Sequence, residues 1–403
     1  VRQFPALAPL WSKAALIATL FTVATVLVPH ASASSVRPAF VTRSGTHLQL
    51  NGKNWRFTGY NLWWITSVPG DFICGNATSA TQVGAYLDEM QSASHANVVR
   101  TWFYQSFVMN GDWTAFDRLV AAAAARNMKI IPALTDQWGY CEEQVGGQNN
   151  FHTLAWYQSG YRSRGDGYPL AYRDYVAKVV ARYANNPAVA FWQLVNEPQA
   201  NTDVQGTCDD AAAATALRGF ADDMAGLVKS IDHNHLVDLG TLGSGQCGTA
   251  NGDYAYVNGG AVDLCEYHDY HNDTQAMPGD QWNGLQVRLN QCAALNKPLF
   301  VGEIGILANE QADGTASGPV TATTLAQRAR FLDAKLQAQF AAGVVGIALW
   351  DKGDTSWSYD IGPGDPSEKV LKSYAFTTPA PAGPPTATTT ATKKASTTAT
   401  AAH

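Results

Sequence analysis

Along the middle of the chain, short apolar and β-branched runs alternate with longer, Ala-rich stretches of helical period. Eight runs read as strands: Arg56–Asn61, Asn97–Trp102, Lys129–Leu134, Val189–Asn196, Leu236–Gly240, Val262–His268, Leu299–Glu303 and Val345–Trp350. Six stretches between them read as helices: Ala80–Ser92, Trp113–Arg126, Leu170–Tyr183, Ala211–Ile231, Gln281–Leu295 and Thr323–Ala342. The segment Trp113–Arg126 follows Asp112 and ends on a basic residue, the usual signals of a helix start and stop. Most strand runs are continuously apolar rather than alternating, as in Lys129–Leu134 and Val344–Trp350. That is the pattern of parallel strands covered on both faces. Eight such strands alternating with helices close naturally, so the expected fold is α/β, a (β/α)8 TIM barrel. An open doubly wound sheet is the competitor, and it would normally show a Gly-rich turn after an early strand. None follows the first strands, and no G-x-x-x-x-G-K run occurs.

Composition sharpens this picture. The 403 residues suffice for one barrel with insertions. Hydrophobic residues make up 46% and charged residues only 15%, so amides, hydroxyls and glycine must supply much of the polar surface. A formal charge of −6 argues against a nucleic-acid partner, which needs a basic footprint. The 12 Trp and 16 Tyr exceed what a core uses easily and point to stacking surfaces.

The two ends read differently from the middle. Arg2 and Lys13 precede an apolar run from Ala14 to Val28, and Ala31-Ser32-Ala33 forms an A-x-A cleavage signal. Residues 1–33 are therefore expected to be a secretory signal peptide. The alternative, an uncleaved anchor, meets a run shorter than the roughly 20 residues of a spanning helix. A secreted, extracellular protein without stable membrane insertion is expected. Export suits the six cysteines, which form no C-x-x-C pair and no zinc spacing. From the proximity of the predicted loops, the pairing is expected to be Cys74–Cys141, Cys208–Cys247 and Cys265–Cys292. Residues 377–403 are rich in Thr, Ala and Pro and are expected to be a disordered tail. The folded domain is then 34–376.

In a (β/α)8 barrel, chemistry sits at the C-terminal ends of the strands. Those ends carry Asn61 and Trp63, Arg100 and Trp102, Asp136 and Trp138, Asn196 and Glu197, His268 and Tyr270, Glu303, and Trp350. Two are carboxylates, Glu197 after the fourth strand and Glu303 on the seventh, which can face each other across the mouth. Glycosidic cleavage needs such a pair, one to protonate the leaving oxygen and one to attack or to activate water. Glu197 has a second reading, because Asn196-Glu197-Pro198 could cap a helix. Glu303 could be a solvated loop acid, yet Gly302 and Gly305 beside it permit close backbone approach. The patch Glu266-Tyr267-His268-Asp269-Tyr270-His271 could hold a metal, but a hydrogen-bonding role for His268 beside the nucleophile fits better. A buried Arg100 would need a carboxylate partner, for which Glu303 is the natural candidate. Its guanidinium would favour the charged form of Glu303, and that charge would favour a protonated Glu197. Trp63, Trp64, Trp102, Trp138 and Trp357 are candidate stacking platforms, two or three of them expected in the cleft.

At these residues the chain resembles glycoside hydrolase family 5, of the retaining clan with paired glutamates on strands four and seven. The matching runs are Val98-Val99-Arg100-Thr101-Trp102, Trp192 through Pro198, His268-Asp269-Tyr270, Val301 through Gly305, and Trp350. The resemblance spans about Phe40 to Phe376. It implies Glu197 as acid/base, Glu303 as nucleophile and Asn196 on the sugar 2-hydroxyl. Arg100 and Tyr270 would support the nucleophile, and Trp350 would floor the cleavage subsite. Phe57 through Trp64 is similar to the first-strand motif of endo-β-1,4-mannanases. Leu134 through Trp138 is similar to their third strand, with Asp136-Gln137 in place of paired Asn.

The function this implies is a double displacement on a β-linked polysaccharide or oligosaccharide, β-mannan first and β-glucan second. No cofactor and no metal are expected, and a monomer is expected. The alternative from another class is a non-catalytic carbohydrate-binding barrel, which would bind oligosaccharide without turnover.

Overall fold

Three short antiparallel strands open the structure: β1 (Val41–Ser44), β2 (His47–Leu50) and β3 (Lys53–Trp55). Eight parallel strands follow: β4 (Phe57–Asn61), β5 (Val98–Trp102), β6 (Lys129–Ala133), β7 (Phe191–Gln193), β8 (Leu236–Asp238), β9 (Cys265–Tyr270), β10 (Leu299–Gly305) and β11 (Gly346–Trp350). Their order is β8-β7-β6-β5-β4-β11-β10-β9. The ring closes between β8 and β9, where the Asp263 N–H donates to the Val237 carbonyl at 2.7 Å. Further along the same seam, the His268 N–H donates to the Leu242 carbonyl at 2.9 Å. The protein is thus the (β/α)8 barrel expected from the strand pattern. This computed structural model describes residues 39–67, 78–142, 151–165, 167–270, 274–309, 317–353 and 359–376.

The helices are α1 (Ala80–Ser94), α2 (Thr114–Ala125), α3 (Leu154–Gln158), α4 (Tyr172–Tyr183), α5 (Asp210–Ile231), α6 (Asp253–Asn258), α7 (Leu285–Ala294), α8 (Ala322–Ala342) and α9 (Pro366–Ser373). All six predicted helices are present. Ser79 and Gln82 cap α1 reciprocally, and Thr321 and Thr324 do the same for α8, which stops at Gly343 with φ 107°. The α7 helix starts later than its periodicity suggests. Asp280 accepts the N–H groups of Trp282 and Asn283 and so folds the approach into a turn. The elements missed from sequence, β1–β3, α3, α6 and α9, are too short for a periodic signal.

Those first three strands matter to the barrel. They bring Val41, Leu48, Leu50 and Trp55 against Phe57, Val98, Ile131, Phe191, Leu264, Phe300 and Val345, at or near the starts of the barrel strands. The meander therefore stops the N-terminal end of the barrel with apolar side chains. Phe57, Phe191 and Phe300 meet there with ring centroids 5.1 to 6.4 Å apart. At the same end, the Lys129 ammonium donates to the carbonyls of Ala39 and Pro187, tying β6 to the chain entry.

Two disulfides stand as expected, Cys208–Cys247 and Cys265–Cys292. Cys141 is also disulfide-bonded, while Cys74 lies outside the described residues. One G-x-G-x-x-G spacing does occur, at Gly243–Gly248, but it follows the fifth barrel strand rather than an early one. Cys247 within it is bonded to Cys208, and a Cβ at Gly243 would strike the Tyr267 ring, so its glycines serve close packing. The expected leader and tail lie outside the described residues, and among those residues no helix is long and apolar enough to cross a membrane.

The meander's role gives a stability prediction. Phe300→Ala should cost about 3–5 kcal/mol, because a fully buried ring leaves a cavity between strands that cannot collapse onto it. Urea unfolding should show a lower midpoint with an unchanged slope.

Candidate active site

Both glutamates reach the barrel mouth through local departures from regular structure. On β10, the register against β9 shifts between Val301 and Glu303, a bulge that re-aims the Glu303 side chain. A Cβ at Gly305 would overlap the Tyr270 ring, so this glycine lets Tyr270 lie against the strand. The Tyr270 hydroxyl then donates to Glu303 Oε2 at 2.5 Å. Glu197 follows β7 with φ 56°, a left-handed conformation that costs a non-Gly residue about 1–3 kcal/mol. Its N–H donates to the Gly240 carbonyl, and no helix starts there, since α5 begins at Asp210. The helix-cap reading of Glu197 is therefore wrong. A carboxylate oxygen of Glu197, one of Glu303 and a ring nitrogen of His268 all lie within 4.8 Å of one another.

Arg100 links the two sides. Its side chain is fully buried, and its five N–H groups match five hydrogen bonds. Nε and one Nη2 hydrogen go to Gln193 Oε1 at 3.1 and 2.7 Å. The others go to Asn61 at 2.8 Å, Asn196 at 2.6 Å and Glu303 Oε1 at 2.6 Å. The expected Arg100–Glu303 pair is thus in contact. Asn196 in turn donates to Asp136 Oδ1 at 2.7 Å. Asp136 Oδ2 accepts the N–H groups of Trp138 and Tyr140, each at 3.0 Å, and so shapes the turn after β6. From that turn the Trp138 indole donates to Glu197 Oε2 at 2.7 Å.

His268 stands beside Glu303 as expected, and its hydrogen bonds go to two other carboxylates. Nδ1 lies 2.7 Å from Glu197 Oε1 and Nε2 lies 3.1 Å from Glu266, whereas Glu303 is 3.6 Å away. Its hydrogen bonds thus go to the Glu197 side of the site. Burial disfavours the imidazolium, but the charge of Glu303 and the hydrogen bonds of Glu197 and Glu266 outweigh it and push His268 up to about 10. Burial likewise works against the charged form of Glu197, yet the His268 hydrogen bond and charge and the Trp138 hydrogen bond hold its carboxyl below the usual range. In the free site, Glu197 and His268 are an ion pair. The expectation that Glu303 keeps Glu197 protonated fails here, because a cation stands between them. Burial pushes Asp136 well up, while the N–H groups it accepts from Asn196 and Tyr140 work the other way.

The tryptophans divide. Trp138 and Trp350 are half-buried, and Trp63 is half-buried with its indole N–H on Asp351 at 2.8 Å. Trp64 stands edge-on to Tyr86 of α1. Trp102 is not a platform: it is buried, stacked on Tyr104 at 5.4 Å with the Arg100 guanidinium 4.9 Å from its ring. Trp350 lies 6.2 Å from it, and Trp357 falls outside the described residues. Sequence reading missed Gln193 and Asp238 and took Glu266 only as part of a metal-like patch; all three are buried polar side chains inside predicted strands. Their signal was present as polar residues breaking otherwise apolar runs.

Two clusters have metal-ligand spacing among the described residues. Cys208 and Cys247 of one are joined in a disulfide. The other is Glu197, His268 and Glu303, whose atoms are already engaged in hydrogen bonds within the protein, with Arg100 supplying a cation beside Glu303. The arrangement suits two carboxylates acting on a neutral substrate rather than a cation cradle.

A (β/α)8 barrel with two facing glutamates at the ends of its fourth and seventh strands is the framework of a glycoside hydrolase. The chain belongs to glycosyl hydrolase family 5, whose model, described as Cellulase, matches residues 48–341. It is similar to mannan endo-1,4-beta-mannosidase A of Hypocrea jecorina, 27% identical over 83% of this chain and 74% of that one. The enzyme of the same name from Aspergillus aculeatus is 26% identical over 88% and 92%. Among solved structures, the endo-1,4-beta-mannanase from Rhizomucor miehei superposes with a TM-score of 0.62 at 18% identity, covering 83% of this chain and 98% of that chain. At that identity the likeness concerns the fold.

The turn after β6 also makes a pH prediction. His152 is buried against Trp156 at 3.7 Å, and burial lowers it to about 3. Unfolded, it titrates near 6.5. Between these values the unfolded chain binds the extra proton, so this contribution is complete above pH 6.5 and is lost as pH falls toward 3. Urea unfolding at pH 6.5 and 5 should show wild type losing roughly 2 kcal/mol more than His152→Gln.

Proposed function

We propose that this protein is a secreted, retaining endo-β-1,4-mannanase, with Glu303 as nucleophile and Glu197 as acid/base. The observation that carries the mechanism is the approach of Glu197 and Glu303 oxygens to within 4.8 Å. Retaining enzymes hold their carboxyl groups about 5–5.5 Å apart, and inverting enzymes about 6.5–9.5 Å to leave room for water. In the first step, a Glu303 oxygen bonds to the anomeric carbon as the glycosidic C–O bond breaks. The proton of Glu197 goes to the departing oxygen. In the second step, Glu197 takes a proton from water, whose oxygen bonds to the anomeric carbon and releases Glu303.

Glu197 must acquire a proton before it can act as acid. With Glu197, Glu266 and Glu303 as carboxylates facing Arg100 and His268 as cations, the cluster carries one net negative charge. Protonating Glu197 cancels it. Glu197 is also the most exposed of the three, its side chain 13% accessible against 0% and 4%. A sugar seated over it displaces water from the one carboxylate that still has some, and a net charge then costs more. Substrate binding in this way favours the acid form.

The choice of mannan rests on the curated relatives, named mannan endo-1,4-beta-mannosidases, and on the first- and third-strand motifs. Secretion is supported by the leader pattern and by the disulfides.

The test is a reducing-sugar screen on mannan, glucomannan, cellulose, laminarin and xylan. Mannan should be hydrolysed fastest, and a preference for cellulose or laminarin would reassign the substrate. Glu303→Ala should abolish turnover on every active substrate. Glu197→Ala should lose about 10²–10⁴-fold on polysaccharide, the usual worth of general acid catalysis, but far less on an aryl glycoside whose leaving group needs no proton. Proton NMR should show the first-formed anomer with the configuration of the substrate. Release of the opposite anomer would exclude the covalent route.

A further inference from the structure

Below the catalytic pair, the barrel interior holds a second layer of acids that the proposed chemistry does not consume. Asp238 on β8 and Glu266 on β9 have no solvent exposure. A buried carboxylate is strongly disfavoured unless it is paired on all sides. Glu266 is so paired. Its Oε1 lies 3.1 Å from His268 Nε2 and 3.5 Å from Arg100 Nε. Its Oε2 accepts from the Gln193 amide on β7, and the Asp238 carboxyl hydrogen-bonds to it from β8. The neighbouring strand β10 is cut to fit, because a Cβ at Gly302 would overlap Glu266 Oε1. From α6, the Tyr254 hydroxyl donates to the Glu266 backbone carbonyl at 2.7 Å.

The geometry of these contacts is two-sided. Arg100 meets Glu303 with Nη1 and faces Glu266 with Nε. His268 meets Glu197 with Nδ1 and Glu266 with Nε2. Both cations that touch the catalytic carboxylates are thus backed by the same third carboxylate.

We propose that Glu266 is a positioning residue for the glycosidase reaction, holding the His268 ring against Glu197 and the Arg100 guanidinium against Glu303 from beneath. The inference rests on the roles given above to Glu197 and Glu303. Glu266 touches no reacting atom; it acts through the two cations. The charges facing His268 are those of Glu197, Glu266 and Glu303. Those facing Glu266 are Arg100 and His268, together with Asp238. Burial and the adjacent Glu266 push Asp238 well above the usual carboxylate range, so it faces Glu266 as a neutral donor. The negative charge of this lower layer therefore resides on Glu266, where it keeps His268 doubly protonated.

The test uses the full-length enzyme labelled with 15N-histidine. In wild type, His268 should show both ring nitrogens protonated at pH 7 and titrate near 10. A singly protonated His268 at pH 7 overturns the proposal without any variant. In Glu266→Gln, which keeps the shape and removes the charge, His268 should titrate about one to three pH units lower. Its kcat should fall about tenfold to a hundredfold with KM changed less than about twofold, the signature of misplaced catalytic groups. In Asp238→Asn, which swaps one neutral donor for another, His268 should titrate as in wild type.

A Glu266→Gln enzyme with unaltered kcat, or with lowered kcat but wild-type His268 titration, sinks the idea, the second outcome being a packing defect. So does an Asp238→Asn enzyme whose His268 titrates lower, because the charge would then lie on Asp238. If Glu266→Gln does not fold, the wild-type spectrum and Asp238→Asn still decide. The His268 titration requires no substrate, so a wrong sugar assignment would leave this readout intact.

Discussion

The site depends on one buried cation. Arg100 sits on β5 with no solvent exposure, and a guanidinium there is tolerable only if every donor finds an acceptor. It finds them on β4 through Asn61, on β7 through Gln193, just beyond β7 through Asn196, and on β10 through Glu303. Because the guanidinium is planar and its fork rigid, satisfying all five donors at once fixes the relative placement of those strands. The cost of burying the charge is therefore also the source of geometric definition. Loss of any one acceptor would leave a desolvated donor as well as a displaced neighbour.

The two ends of the barrel divide the labour. At the N-terminal end, Phe57, Phe191 and Phe300 with the meander side chains form an apolar stopper. At the other end, polar side chains fill the same cylinder. Packing at the stopper is what can offset charge burial at the mouth, since each fully buried aromatic side chain contributes about 1.5–3 kcal/mol. This separation gives a purpose to the small antiparallel sheet ahead of the barrel strands, which carries no chemistry. Without it, the first-turn phenylalanines of the barrel strands would face water.

The sequence was legible wherever a rule acts over many residues. Eight apolar runs gave eight strands, because burial on both faces leaves a continuous signature. Glu197, Glu303 and Arg100 were legible because barrel strands deliver side chains to a known end. Trp102 was misread, since the same indole serves as core or platform and only the presence of Tyr104 and Arg100 on its faces decides. His268 lies beside Glu303 as expected, but its hydrogen-bond partners were not legible. Nothing along the chain says that His268 leans toward Glu197, because that lean follows from Glu266 occupying its other nitrogen. Asp238 went unread, and Glu266 was read only as part of a metal-like patch, because a polar residue within an apolar run looks like an edge of the strand rather than a floor beneath a site.

The two facing glutamates reach the mouth by different devices, and that difference fits the roles proposed for them. Glu303 lies within a strand, is hydrogen-bonded by Arg100 and Tyr270, and is nearly inaccessible. Such a carboxylate has little freedom, as suits an atom that must meet an anomeric carbon along one line. Glu197 lies just past a strand end in a left-handed turn, more exposed, with donors on each of its oxygens. A group that must give up a proton and later take one from water needs access as well as position. The bulge in β10 and the strained φ after β7 are thus opposite solutions. One removes freedom from a side chain on a rigid element, and the other lifts a side chain off that element toward solvent while the Gly240 carbonyl and the indole of Trp138 keep it in register.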